Sequence, residues 1–492
     1  MRIFLLACCW AAVCQLPAQT RVPKVWDEEK LRDWATPVAG LNLRPSHISE
    51  REYYAAPVSH YRTYPVYYPG REPEGYWERL QKLEPQPLIE PKKLRTEADW
   101  VAAGKRVFFE GDVPAMRRFD PELIAKLRSP KAHEEAKTVK LKSGLIHGIR
   151  WIVTEKGVGV TADACAVCHT RLMENGEEVP GPGANLPGTD LAAPVFHVAG
   201  AAFPLEGDEY AVAFWRNYSV PWLADDIHAG LQKMALPELF RLFGSAAGDF
   251  MFPRWGGSPY FPTKIPDLIG IRDRRYIDHT GTHLHRDIGD LMRYAAHVTW
   301  AESVEYGPHK ILSGNQPRVW PRWPDEALYA LAKYIYSLEP PSNPHPFDAH
   351  AKAGQQVFQR AGCPVCHTPP LYTNNKLTLA RGFRPPPDRP ATLDIMPVSV
   401  GTDPGLALRT RKGTGYYKVP SLKGVWYRGR YLHDGSVASL EELFNPNRVQ
   451  DTHVPGGWKP LDAKTWAIKG HEYGLDLTPA ERAQLIAFLR TL

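Results

Sequence analysis

Two five-residue strings carry the clearest chemistry in the chain, Cys165-Ala166-Val167-Cys168-His169 and Cys363-Pro364-Val365-Cys366-His367, both of the form C-x-x-C-H. Cysteines three apart stack on one helical turn, so both thiols can reach one side of a porphyrin. The histidine that follows then places its imidazole under the iron. A bare cysteine pair also suits a disulfide, a redox dithiol or half of a zinc site. A redox dithiol has no use for the trailing histidine, and zinc wants four ligands drawn together. The motif occurs twice, and the other cysteines, Cys8, Cys9 and Cys14, all fall in the first residues of the chain. The pattern predicts two covalently attached haem c groups, bound through Cys165, Cys168 and His169 and through Cys363, Cys366 and His367.

The sixth ligand of each iron decides what the protein does, because an iron held by two protein ligands passes electrons whereas an open one can bind an oxidant. For the second motif the candidates are His433, His471 and Met396; for the first they are His197, His279, His283, His285 and His297. His471 lies in Gly470-His471-Glu472-Tyr473-Gly474, a glycine-flanked loop before the last helix, and Asn315-Gln316-Pro317-Arg318 takes its place in the first half. This asymmetry predicts a bis-histidine second iron and a first iron without that ligand. The alternative use of His471 is to cap the final helix. His279 and His283 belong to a histidine-rich stretch running to Asp287 that could line the first distal pocket, bind haem propionates or serve structure. Phe252 and Trp255, in the aromatic string from Phe250, are further candidates for that pocket; Trp215 and Trp222 belong to the same excursion.

These residues need a scaffold, and an internal repeat supplies its outline. Lys264-Ile265-Pro266-Asp267-Leu268-Ile269-Gly270 matches Lys418-Val419-Pro420-Ser421-Leu422-Lys423-Gly424, and the same offset carries His279 onto His433 and the apolar helix pattern of 325–338 onto 479–492. Ala103-Gly104 before the first motif resembles Ala353-Gly354 before the second. Each half reads as opening helix, C-x-x-C-H, K-x-P-x-L-x-G, H-x-G, closing helix. The expected fold is mainly α: two tandem class I cytochrome c-like domains with long irregular loops and an extended N-terminal arm. The boundaries are a signal at 1–18, the arm at 19–95, a first domain with large insertions at 96–341, and a second domain at 342–492 after the proline linker Glu339 to Pro346.

Composition agrees with that outline. The 492 residues exceed one ordinary core, and 47 prolines imply long irregular connections. The 60 basic against 54 acidic residues give no reason to expect nucleic acid as a partner. The uncharged run Ile3 to Val13 followed by Leu16-Pro17-Ala18 reads as a cleaved export signal, too short to span a bilayer. A lipoprotein cysteine at Cys14 fits less well, because Val13 precedes it. A soluble periplasmic or secreted protein is expected, with no transmembrane segment.

With its two C-x-x-C-H motifs and Tyr431-Leu432-His433-Asp434-Gly435, the chain resembles the bacterial dihaem cytochrome c peroxidase superfamily. The strings Tyr64-Pro65-Val66-Tyr67, Arg71 to Trp77, His285 to Tyr294, Gly401 to Pro404 and Gly470 to Gly474 resemble the rubber oxygenases and their relatives within it. That resemblance implies a reactive, dioxygen-binding haem at His169 and an electron-holding haem between His367 and His471. It also implies a small-molecule oxidant, dioxygen or hydrogen peroxide, an apolar organic substrate and a periplasmic electron donor. The chain is shorter than the rubber oxygenases, which leaves the substrate open. Two functions are therefore in play: an oxygenase- or peroxidase-like oxidoreductase, and an electron carrier with two six-coordinate haems.

Overall fold

The structure is a computed structural model that describes residues 21–59, 61–162, 165–185, 208–248, 251–252, 257–299, 303–311 and 321–492. The proposed signal, His197 and Trp255 lie outside the described residues.

Two crossed helix pairs form the frame. The helix Glu97–Glu110 starts at a capping box in which Thr96 accepts from the Asp99 N–H and the Asp99 side chain accepts from Thr96. It turns Trp100, Ala103, Val107 and Phe108 inward, at helical spacing. It crosses the helix Asp325–Tyr336. In the second half Ala349–Arg360, capped by Asp348, crosses Pro479–Arg490, which has its own Thr478/Glu481 capping box. A glycine sits at each crossing. A Cβ on Gly104 would lie 1.9 Å from the Ala330 carbonyl oxygen, and one on Gly354 would lie 1.8 Å from that of Gln484. Ala330 and Gln484 stand at the offset that relates Lys264 to Lys418, so the repeat extends to the contact atoms.

The two K-x-P-x-L-x-G segments meet each other. The Lys264 N–H donates to the His433 carbonyl and the Lys418 N–H to the His279 carbonyl, each at 2.9 Å. The lysine side chains repeat the exchange: Lys264 Nζ donates to the Arg430 carbonyl at 2.8 Å and Lys418 Nζ to that of Tyr276 at 3.2 Å. Arg274 and Arg428, again equivalent, each close on their own segment through the carbonyls of Asp267 and Ser421. Reciprocal contacts of this kind mark an approximate two-fold axis between the halves.

The mainly-α expectation holds only in part, because short sheets accompany the helices. Between the opening helix and the first motif, Leu145–Thr154 and Gly157–Ala162 form an antiparallel hairpin, rich in β-branched residues, that also pairs with Thr63–Tyr67. The stretch 21–95 is likewise not a purely extended surface arm. It contains the helices Glu50–Ala55 and Tyr76–Gln81, and Trp26, Trp34 and Tyr53 are fully buried in the main core. Large aromatic surfaces of this kind gain more from burial than from lying on the outside. Among the described residues no helix is long and apolar enough to cross a membrane.

Candidate haem sites

The second motif follows the opening helix through Gly362, whose φ of 74° turns the chain into the short 3-10 segment Cys363–Val365. His367 is tied back by its own backbone N–H to the Cys363 carbonyl at 2.9 Å. Its Nδ1 faces the carbonyls of Tyr372 and Pro420, each at 3.2 Å, so Nδ1 is the protonated nitrogen and Nε2 is left for a metal. Pro420 belongs to K-x-P-x-L-x-G; that segment therefore braces the histidine.

His367 opens on a cavity of about 430 Å³ whose walls include Phe358, Leu422, Val425, Leu440, Leu443, Leu485 and Leu489. His471 stands on the far side, with its ring centroid 6.3 Å from that of His367. Two metal–imidazole bonds of about 2 Å each, with a ring radius at either end, span about this distance. Burial, then His367 and Arg448, push the His471 pKa down to about 4, so the imidazole is neutral and its lone pair available. Its Nδ1 is buried without a hydrogen-bond partner. Burial pushes the Cys363 thiol up to about 11, which suits a thioether in an apolar wall and not a metal-binding thiolate. Among the described residues no group of three or more histidine, cysteine or acidic side chains is arranged to hold a bare metal ion. The residues present fit a flat, apolar, iron-bearing group held at both faces.

The loop that presents His471 is under backbone constraint. His471 has φ 47°, and Gly470, at φ 82°, packs so closely that a Cβ would lie 2.2 Å from the Gly401 carbonyl carbon. Arg448, fully buried, donates to the carbonyls of Leu443, Ile468, Gly470 and His471. Nothing in the string Pro446-Asn447-Arg448 signals this role; it emerges only in three dimensions.

The first motif forms the short helix Ala166–His169, with the His169 N–H on the Cys165 carbonyl at 2.9 Å. The following loop locks it, as Gly181 and Ala184 donate to the carbonyls of His169 and Cys168 at 2.7 and 2.9 Å. His147 of the hairpin contacts the Val167 carbonyl at 3.1 Å.

The remaining candidates are placed as follows. His433 stacks on Tyr417 at 4.3 Å, with Nε2 3.2 Å from its hydroxyl, and Met396 Sδ lies 3.9 Å from Cys366 Sγ. His279 uses Nε2 on the Lys264 carbonyl at 2.9 Å and lines the cavity of the second motif. His283 pairs with Asp278 at 2.8 Å beneath Trp34 and beside His297, and His285 bridges the Arg274 carbonyl and the Tyr336 hydroxyl. Phe252 is on the two-residue strand Met251–Phe252, paired with Thr263–Lys264. Trp222 stacks on Tyr306. Asp226, His228 and Ser258 form a hydrogen-bonded row, each contact 2.7 Å. It resembles a hydrolase triad, but Ser258 is fully buried and accepts the N–H groups of Tyr260 and Phe261, so the row clasps a loop.

The family model described as "RoxA-like, cytochrome c-like" matches residues 415–453, the span that carries Pro420, His433 and Arg448. The cytochrome-c peroxidase IdrP1 of Denitromonas iodatirespirans is 29% identical over 202 residues, 35% of this chain and 50% of the relative. The methylamine utilization protein MauG of Methylorubrum extorquens is 28% identical over 195 residues, 36% of this chain and 46% of the relative. The chain is similar to members of the dihaem cytochrome c peroxidase superfamily. Its matches within that superfamily span about half the length of those curated relatives. Among solved structures, Kuenenia stuttgartiensis hydrazine synthase aligns over 56% of this chain and 85% of its own, at 15% identity and a TM-score of 0.31.

Proposed function

We propose that the chain is a member of that superfamily, an exported dihaem c-type cytochrome and an oxidoreductase. In this reading 1–18 is a cleaved signal, and 96–341 and 342–492 are tandem cytochrome c-like domains in the periplasm. Cys165, Cys168 and His169 hold one haem; Cys363, Cys366, His367 and His471 hold the other. When bound, such a haem supplies one-electron redox chemistry, and an iron with an open position also binds dioxygen or peroxide.

The observation that carries the reading is the facing of His471 and His367 across an apolar cavity, 6.3 Å between ring centroids. His367 is oriented by two carbonyls and His471 by the Arg448 clamp, so both rings are set before anything binds between them. Leucine and phenylalanine side chains line much of the same space. This end of the molecule suits storing and passing an electron. The glycine-flanked His471 loop has no sequence counterpart in the first half, which supports an oxidant-binding role there, with dioxygen or hydrogen peroxide as oxidant, an apolar organic compound as substrate and a periplasmic protein as electron donor.

Paramagnetic resonance and optical spectra of the protein made in a haem-maturing host test this. A high-spin component that binds carbon monoxide or cyanide, beside an inert low-spin one, is the expected result. Two inert low-spin haems would reduce the protein to an electron carrier.

A further inference from the structure

Cations crowd the seam between the halves in a way that ligation of iron does not use. Lys264, Arg274, Lys418 and Arg428 all line the cavity that opens from His367, although the first two belong to the other half of the chain. Each is close enough to others of the set to be felt electrostatically. Burial and that mutual repulsion push both Lys264 and Lys418 down to about 7, with Arg171 adding to the field on Lys264.

The carboxylates facing them, Asp267 and Asp278 with the exposed Asp273, are fewer than the cations; Asp267 lies 3.9 Å from Arg428 and also has partners of its own. Asp267 accepts from the Ile269 N–H and the Tyr427 hydroxyl, and Asp278 from Tyr294 and His283. His279, His433 and Arg430 complete the surroundings and bring no negative charge. Buried positive charge in such excess is costly without an anionic partner.

The cavity has a polarity that says where the partner arrives. Cys363 and Cys366 line the cavity from the second half of the chain, whereas Lys264 and Arg274 reach it from the first. A haem tied through those cysteines would carry its two carboxylates on the edge away from the thioethers, the edge the cations suit.

We infer that Lys264, Arg274, Lys418 and Arg428 form a propionate-binding seam for the haem at His367, half of it contributed by the first half of the chain. This rests on the haem reading proposed above. Filling the seam with carboxylates joins the halves, because the lysines that receive them already exchange hydrogen bonds across the two-fold axis. These are positioning residues, acting on the charge of the haem edge and not on its iron.

The test is the midpoint potential of the low-spin haem as a function of pH in the full, haem-loaded protein, for wild type, Lys264→Gln, Lys418→Gln and Lys264→Arg. Glutamine removes the charge while keeping an N–H donor, on a slightly shorter side chain, toward the carbonyls the lysines serve, Arg430 for Lys264 and Tyr276 with Ile277 for Lys418. Each glutamine variant should show a lower potential, because a cation stabilises the reduced, more negative haem, and a steeper pH dependence as an unpaired propionate titrates. Lys264→Arg should restore the wild-type profile. Glutamine variants with full haem content and unchanged profiles would overturn the seam. A wild-type protein without haem at Cys363 and Cys366 would instead sink the functional reading, so the two failures are distinct.

Discussion

Arg448 donates to the carbonyl oxygen of His471 at 2.7 Å and to that of Gly470 at 2.9 Å, while its other nitrogens hold Leu443 and Ile468. One buried guanidinium therefore fixes a loop in which His471 holds a φ of 47°, a left-handed conformation unfavourable for a residue with a side chain. Arg448→Met leaves several buried carbonyls without donors, at roughly 1–3 kcal/mol each. The variant should unfold at lower denaturant, and its low-spin signal should weaken in favour of a ligand-binding form. A variant that keeps both the wild-type midpoint and the wild-type spectrum would show that the clamp does not hold the loop.

His471→Ala removes one of the two facing imidazoles while leaving the backbone clamp in place. The haem at His367 should then bind carbon monoxide. An unchanged low-spin spectrum in this variant would exclude His471 as a ligand.

The two helix crossings give a stability test independent of any cofactor. Gly354→Ala and Gly104→Ala both drive a methyl into a backbone carbonyl at under 2 Å. Such overpacking is expected to cost about 1–3 kcal/mol or more. Gly244, inside the helix Leu236–Gly248, has nothing within 4 Å of a built Cβ. Gly244→Ala should be neutral or stabilise by about 0.5–1 kcal/mol. Equal midpoints for all three variants in chemical denaturation would contradict the close approach.

Acid lability follows from His47 and His297, which pack near Trp34 and His283. Burial, with neighbouring cations, pushes His47 down to about 3 and His297 well below its usual value. The folded pKa is the lower one, so between about pH 6.5 and 3 the unfolded chain binds more protons. Stability is complete above the unfolded value and falls with pH, by about 1.4 kcal/mol per unit for each such group. Denaturation midpoints from pH 7 to 4 should show this loss, and His47→Gln should make the slope shallower. The same slope in that variant would remove His47 from the account.

Thiol replacement counts the prosthetic groups. Cys363→Ser with Cys366→Ser should leave one haem mass on the chain, and Cys165→Ser with Cys168→Ser should do the same. Two haem masses on either variant, read by intact mass spectrometry, would break the assignment of motif to group.

Local chemistry was legible in the linear order. C-x-x-C-H needs only neighbours in sequence to bring two thiols and an imidazole to one helical turn, and the helix pairs announce themselves through apolar spacing and through glycines repeated at one offset. The K-x-P-x-L-x-G strings are also visible as a repeat, and in the second half the proline of that string, Pro420, turns its carbonyl to His367. The glycines around His471 hinted at a constrained loop.

What only the tertiary structure decided is everything that depends on residues far apart in the chain. The burial of Trp26, Trp34 and Tyr53 in the main core, where an extended surface arm was expected, depends on partners far along the chain. The service of Arg448 to His471 and the engagement of His279 and His433 with backbone and tyrosine have the same origin. So does the gathering of Lys264 and Arg274 into the cavity of the other half. A side chain's charge and shape are written in the sequence; which groups it will meet is set by how the two halves pack, since a hydrogen bond or an ion pair acts over a few ångströms whatever the separation along the chain.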